Sequence, residues 1–394
     1  MKKTLLVFII IITMTLSEGF SQSRGIRFND KPWSEIVATA KRENKFIFLD
    51  GYASWCGPCK WIATNIFTND SVGDYYNKTF ICASIDMEKG DGIKLKETYD
   101  IRAYPTLLFI TPEGKVMHKR VGAAQKIQDY LDMGEIALSP EHCYTACVEK
   151  YKSGLRTPEF IYEYCQRLSD AYTPVNEVLQ NYFQLQSSEN FSNRVNWNII
   201  RKFVNEMDSP TFSYLLKHRD EFAKSYTKDS VDSKISDVFL NALVRVTRSA
   251  QMTDDSYLAV KKKIKETGYP GADKVCITSD LMLYQMRGDK EKFLNLAYDN
   301  VEKYFNDDYN LLNNFAWNIS ELSNENKYLN KAMTWAKRSI NLKNEPFNND
   351  TYARLLFKAG KKEEARKFER IAIALAKQQH LPIADYEASL KAME

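Results

Sequence analysis

The sequence predicts an α/β domain, a central β-sheet with helices on both faces, followed by an all-helical region that fills the rest of the chain. Three observations predict it. Near the N-terminus, short and wholly apolar runs alternate with stretches of helical periodicity. A Cys-x-x-Cys stands where one of those runs gives way to a helix. Beyond Leu138-Ser139-Pro140, strand-like alternation fades and amphipathic helical windows follow one another to the end. A chain of 394 residues is long for one core, and roughly 150 residues per domain gives two or three. The expected division is 1–21, 22–138 and 139–394.

Lys2 and Lys3, an apolar core from Leu5 to Leu16, and then Ser17, Glu18, Gly19 and Ser21 have the three parts of a secretory signal. The core is about 12 residues long, short of the ~20 that cross a bilayer. A segment cleaved near Ser21 and Gln22 is expected, with an uncleaved membrane anchor as the alternative. No cysteine follows the apolar core, which argues against a lipid anchor. The mature chain would be periplasmic or secreted. Losing Lys2, Lys3 and Glu18 takes the formal charge from +4 to +3. With 55 basic residues against 51 acidic ones, no strong field points to nucleic acid or to an anionic membrane surface. Seven cysteines leave at least one thiol without an intrachain partner, in a compartment that oxidises thiols.

Taken in order, Asp30-Lys31-Pro32 reads as an N-cap with proline in the first turn. Trp33, Ile36, Val37 and Ala40 then make an amphipathic helix ending near Asn44. Phe46 to Leu49, apolar throughout and followed by Asp50-Gly51, is a strand buried on both faces. A helix opens at the cysteines and carries Ile62, Ala63, Ile66 and Phe67 to a stop near Thr68-Asn69-Asp70. Asn69 to Lys78 and Asp86 to Gly90 read as solvated, charged loops. Phe80 to Ile85 is a second buried strand, Asp91 to Tyr99 a short helix, and Thr106 to Ile110 a third strand. Pro112-Glu113-Gly114-Lys115 turns the chain, and Val116 to Val121 returns as a hairpin partner. A closing helix carries Ile127, Tyr130 and Leu131.

A Cys-x-x-Cys that follows a buried strand and opens a helix is the sequence form of a thiol–disulfide exchange site. Cys56 falls at the helix N-terminus, where free N–H groups and the positive end of the dipole favour a thiolate, so it is the expected nucleophile. Cys59, one turn on and deeper, is the expected resolving thiol. Pro58 suits a first turn, and Gly57 leaves the reactive sulfur open. The competing readings are half a zinc site or a static disulfide. Zinc needs four ligands, and no second Cys-x-x-Cys or histidine pair follows at suitable spacing. No metal or cofactor is expected.

Asp50 through Lys60 reads Asp-Gly-Tyr-Ala-Ser-Trp-Cys-Gly-Pro-Cys-Lys, Ile101 through Phe109 reads Ile-Arg-Ala-Tyr-Pro-Thr-Leu-Leu-Phe, and Val121-Gly122-Ala123-Ala124 follows. These three blocks, in this order, resemble the thioredoxin family over residues 26–137. The resemblance implies a thioredoxin-like sheet and protein thiol–disulfide exchange. It implies that Asp50 lies beneath the second cysteine and moves its proton through water, as a carboxylate with a pKa raised by burial can do. By position Asp50 ends an apolar strand, where an unpaired carboxylate is costly; a turn residue before Gly51 is the alternative. From the residues alone Pro105 is an ordinary trans proline at a strand start and Gly122 a turn glycine; the resemblance instead makes Pro105 a cis-proline, with Tyr104 bordering a groove where substrate backbone adds as a strand and Gly122 letting it approach. Trp55 would pack beside the nucleophile; filling the core is its plainer reading. Two departures stand out. Cys82 aligns where many members carry a lysine facing the acid, and Thr64 replaces a helix-kinking proline.

In the helical region the cap-like Thr157-Pro158 precedes Phe160, Ile161, Tyr164, Cys165 and Leu168. Gly288 and Gly360 each stand five residues before a helix residue, Phe293 and Ala365, and Asn326 to Ala332 fills a similar slot between them. This resembles the tetratricopeptide (TPR) helix-turn-helix, most evident over 281–380, with Ala332 and Ala365 as the small residues between paired helices; an irregular helical domain is the alternative. Cys143 and Cys147, beside His142, could be a second redox pair or a weak metal site; helix packing is the plainer reading. Cys165 and Cys276 fall on apolar faces.

The expected function is that of an exported protein thiol–disulfide oxidoreductase, a reductase or isomerase, because Gly-Pro between the cysteines resembles the reducing members of the family. Its partners would be disulfide-containing exported proteins, a membrane thiol-electron donor and a protein ligand of the helical domain. The alternatives are an adaptor with a mainly structural α/β domain, and an oxidase that donates its disulfide.

Overall fold

The computed structural model describes residues 24–394, so the expected signal segment lies outside the described residues. The chain forms two compact units, one ending at Phe203 and the other beginning at Val204.

In the first unit, β1 (Ile47–Tyr52), β2 (Ile81–Asp86), β3 (Thr106–Ile110) and β4 (Val116–Val121) form one sheet in the order β2-β1-β3-β4. β1 and β2 are parallel, and β3 runs antiparallel to β1 and β4. Helices α1 (Trp33–Glu43), α2 (Gly57–Asn65), α3 (Asp70–Thr79), α4 (Asp91–Thr98) and α5 (Ile127–Leu138) cover it. Successive side chains of a strand point to opposite faces. Phe48 and Phe109 therefore join Ile62, Tyr76 and Tyr130 of α2, α3 and α5 in one core. Leu49 and Leu108 join Ile36 and Leu95 of α1 and α4 in the other. This is the thioredoxin-like sheet expected from the sequence.

Three local expectations need correction. β1 runs on past Leu49, so Asp50 and Gly51 lie inside the strand rather than in a turn, with Asp50 opposite both Ser84 and Leu107. Asn69 to Lys78 is no loop: Asn69 Oδ1 accepts from the N–H groups of Ser71 and Val72 at 3.0 and 3.3 Å, and α3 buries Val72 and Tyr76. Its fully buried face is only Val72, Gly73 and Tyr76, with Tyr75 partly buried beside them. A Cβ on Gly73 would stand 1.9 Å from the Arg24 carbonyl oxygen, so glycine lets the segment preceding α1 cross this helix. Lastly, Asp30 does not cap α1. The Trp33 N–H donates instead to Asp91 Oδ2 at 2.9 Å, a partner 58 residues away that no local pattern reveals.

β4 is an edge strand, and α6 (Tyr144–Lys152) and α7 (Pro158–Asp170) pack against it. Thr145 Oγ1 donates to the Val116 carbonyl at 2.7 Å, and the Tyr144 N–H to His118 Nδ1 at 3.3 Å. Cys143 caps α6 and Cys147 lies within it; both are fully buried free thiols, not a second disulfide. Helices α8 (Asn176–Phe183), α9 (Ser188–Phe191) and α10 (Arg194–Phe203) complete the unit.

The second unit is helical throughout: α11 (Pro210–Lys217), α12 (Arg219–Tyr226), α13 (Lys228–Arg248), α14 (Asp254–Glu266), α15 (Ala272–Arg287), α16 (Lys290–Tyr304), α17 (Tyr309–Leu322), α18 (Asn326–Leu342), α19 (Pro346–Lys358), α20 (Lys362–Gln378) and α21 (Ala384–Ala392). The starts of α15, α17 and α19 step by 37 residues, and those of α16, α18 and α20 by 36. Three helix-turn-helix pairs therefore repeat with nearly constant period, slightly longer than the roughly 34 residues of a TPR unit. Equivalent buried positions are Phe293, Leu329 and Ala365. Ala332, also fully buried, stands three residues beyond its expected slot, because the turn before α18 contains no glycine to mark the register. No helix among the described residues is long and apolar enough to cross a membrane.

Candidate active site

β1 delivers the chain to the head of α2. The Cys56 N–H donates to the Ala53 carbonyl at 3.0 Å, and Cys56 adopts the extended backbone of an N-cap, φ −72° and ψ 112°. Gly57 and the exposed Pro58 form the first turn. Cys56 and Cys59 are joined in a disulfide, their Cα atoms 5.3 Å apart, and the Cys59 N–H points at the Cys56 sulfur at 3.1 Å. Once the bond is reduced, that donor, the helix N-terminus and the lack of an acidic side chain in the first turn of α2 all favour a thiolate at Cys56. Burial does not distinguish the two cysteines, which are 3% and 5% exposed. Position on the helix, not depth, is what separates them.

Tyr52 and Tyr104 pack against Ala53 and the cysteine pair. Trp55 does not fill the core. It is 67% exposed, meets the Tyr104 ring edge-on at 5.8 Å, and donates its indole N–H to Glu88 Oε2 at 2.9 Å. Glu88 belongs to the loop read from sequence as merely solvated. The Tyr104–Pro105 bond is cis, and the Pro105 carbonyl accepts from the Gly122 N–H at 2.8 Å. Gly122 has φ +89°, which disfavours any other residue, although a Cβ there would meet nothing within 4 Å. The space above Gly122 is open.

Asp50 is 3% exposed. Ser84 Oγ donates to its Oδ2 at 2.7 Å, while Oδ1 has no hydrogen-bond partner among the described residues. Burial pushes its pKa from 3.8 up to about 6, against the opposing pull of the Ser84 hydroxyl. An acid poised there can hold or accept a proton near neutral pH. Cys82, aligned by sequence with the lysine that faces this acid elsewhere, lies in the apolar core with Phe48 and Tyr76. Its thiol is pushed up to about 12 by burial. Ser84, opposite Asp50 in register, is the side chain that meets the acid.

A family profile for thioredoxin matches residues 25–133. Over 83 residues the chain is 36% identical to the thioredoxin of Mycoplasmoides gallisepticum, a match spanning 21% of this chain and 76% of that protein. The chain belongs to the thioredoxin family. This thioredoxin-family protein is also 28% identical over 118 residues to a protein disulfide-isomerase of Zea mays, across 28% of this chain and 22% of the maize protein. The solution structure of a proposed disulphide-isomerase from Bacteroides thetaiotaomicron shares 37% identity, covers 30% of this chain and 97% of that chain, and superposes with a TM-score of 0.28.

The thioredoxin-family site thus brings Cys56, Cys59, Trp55 and Tyr104 together, ties Pro105 to Gly122, and sets Asp50 on Ser84. Sequence reasoning missed Ser84 and Glu88. Strand alternation held the signal for the first, since pairing Asp50 with β2 puts a same-face residue opposite it. Nothing in the sequence pairs Glu88 with a tryptophan 33 residues away.

Proposed function

We propose that the protein is an exported thiol–disulfide oxidoreductase working on protein disulfides in the reducing or isomerising direction. The observation that carries this reading is the bonded Cys56–Cys59 pair at the head of α2, with a backbone N–H already aimed at the Cys56 sulfur. In the reduced protein the Cys56 thiolate attacks one sulfur of a substrate disulfide. A Cys56–substrate bond forms, the substrate disulfide breaks, and its leaving thiolate takes a proton. Cys59 then loses its proton toward Asp50 and attacks the Cys56 sulfur. The Cys56–Cys59 bond forms and the second substrate thiol departs. Two electrons have passed to the substrate, so the oxidised protein needs a dithiol donor, which after export would be a membrane thiol-electron carrier. Gly57-Pro58 supports the reducing direction, and Lys2, Lys3 and the apolar run from Leu5 to Leu16 support export. The regular repeats from α15 to α20 would hold a partner or substrate protein.

The test is trapping. Cys59→Ser should accumulate mixed disulfides with exported proteins that dithiothreitol releases, and Cys56→Ser should accumulate none. Equal trapping by both variants, or by neither, would contradict the assignment.

A further inference from the structure

A cavity of about 230 Å³ has Asp100, Arg102, Lys119, Val121, Tyr172 and Pro174 on its walls. Two of these walls adjoin, along the chain, the Pro105–Gly122 pair of the site. Arg102 stands three residues before Pro105, and Val121 precedes Gly122, whose N–H holds the Pro105 carbonyl. The third wall comes from outside the α/β domain, from the turn joining α7 to α8. There Tyr172 is 79% exposed and has a left-handed backbone, φ 58°, uncommon for a bulky residue. The turn is fastened by the Tyr172 N–H to the Ser169 carbonyl and the Thr173 N–H to the Leu168 carbonyl, at 3.0 and 2.8 Å. The volume suits one long side chain and falls below the roughly 300–1,000 Å³ of small-molecule sites.

Charge narrows the occupant further. Arg102 Nε meets Asp100 Oδ1 at 2.7 Å, which offsets the one carboxylate among these six residues. Lys119 is half-buried and donates to the Asp100 carbonyl oxygen at 3.2 Å, a bond that uses one of its three N–H donors. The cavity therefore carries an excess positive charge with donor capacity, against an aromatic and a proline wall.

We propose that this cavity is a side-chain subsite for the polypeptide whose disulfide is exchanged at Cys56–Cys59, and that it selects an acidic residue. The proposal rests on the oxidoreductase reading. A glutamate or aspartate carboxylate accepts from Lys119 and Arg102 while its methylene groups lie on Tyr172 and Pro174. A lysine or arginine in the same place meets like charge. The α7–α8 turn thereby gives the helical segment a part in substrate choice.

The test uses the full chain and peptides that each contain one disulfide loop, with a single glutamate or lysine walked along the residues flanking one cysteine. Reduction is followed with dithiothreitol recycling the protein, and affinity is measured in parallel on versions with serine in place of cysteine. At the position that reaches the cavity, the glutamate peptide should be favoured over the lysine peptide by about fivefold, the upper size of a partly exposed ion pair, and less at high salt. Lys119→Glu should reverse the preference. Because the glutamate-to-lysine ratio is read within one sample, partial loss of folded protein does not disturb it. Arg102→Glu, at a side chain 82% exposed, serves if the first variant fails to fold. Equal treatment of both peptides at every position, or a ratio moved by neither variant, would overturn the subsite. Absence of exchange by the wild-type chain, whatever the affinities, would overturn the oxidoreductase reading and the subsite with it.

Discussion

Asp50 does two opposed things at once. Its carboxyl is held in the core by one hydroxyl, from Ser84, with one oxygen left without a partner among the described residues. A carboxyl is thereby kept in the core of the α/β domain at the expense of stability. The folded pKa, about 6, is raised above 3.8, so the native state binds the extra proton between those values. The stability tied to this group is complete below pH 3.8 and is lost as pH rises through about 6. The rise from 3.8 to about 6 corresponds to something on the order of 3 kcal/mol. Asp50→Asn should therefore be more stable than wild type by about that amount at pH 8 in urea denaturation, and nearly equal to it at pH 3. The same variant should release mixed disulfides roughly 10²-fold more slowly at neutral pH, the low end for a positioned base. Ser84→Ala, which removes the hydroxyl that favours the charged form, should move the pH at which release accelerates upward.

Among the elements, α6 acts as the cover of the sheet's open edge, and its join to β4 depends on a neutral histidine. His118 is 2% exposed and accepts from the Tyr144 N–H; burial, with Arg167 and Arg120 nearby, lowers its pKa from 6.5 to about 3. Here the sign is reversed. A lowered folded value means full stability above pH 6.5, lost progressively as pH falls toward 3, on the order of 4–5 kcal/mol in all. His118→Gln should flatten the stability profile between pH 4 and pH 7, read by denaturant titration. The sequence displayed the strands and the cysteine helix clearly, because apolar runs such as Thr106 to Ile110 are bounded by turn residues and need no long-range information. It concealed α3, whose buried face is only Val72, Gly73 and Tyr76, and the cap of α1, which Asp91 supplies from far along the chain. The site was legible where resemblance names residues, Cys56 to Cys59 and Pro105. It was not where tertiary approach alone selects the partner, as with Glu88 on Trp55 and Ser84 on Asp50.

At the scale of the whole molecule, chemistry and repetition occupy different cores. The repeats pack around Ala297, Ala332, Trp335 and Ala336, and the exchange site lies on a sheet with two cores of its own. Ala332→Leu should overpack α18 and destabilise the repeats by about 1–3 kcal/mol, while exchange with a small disulfide continues at the wild-type rate. Loss of exchange in that variant would tie exchange to the packing of the repeats. The most direct test of the central claim is to equilibrate the full chain in dithiothreitol or glutathione buffers of known potential and count alkylated thiols. The expected result is one dithiol, Cys56 with Cys59, that interconverts with its disulfide at a potential on the order of −270 mV, while the buried thiols of Cys82, Cys143, Cys147, Cys165 and Cys276 stay unreactive. A pair that never interconverts would contradict the exchange function, and a potential near −120 mV would contradict its direction.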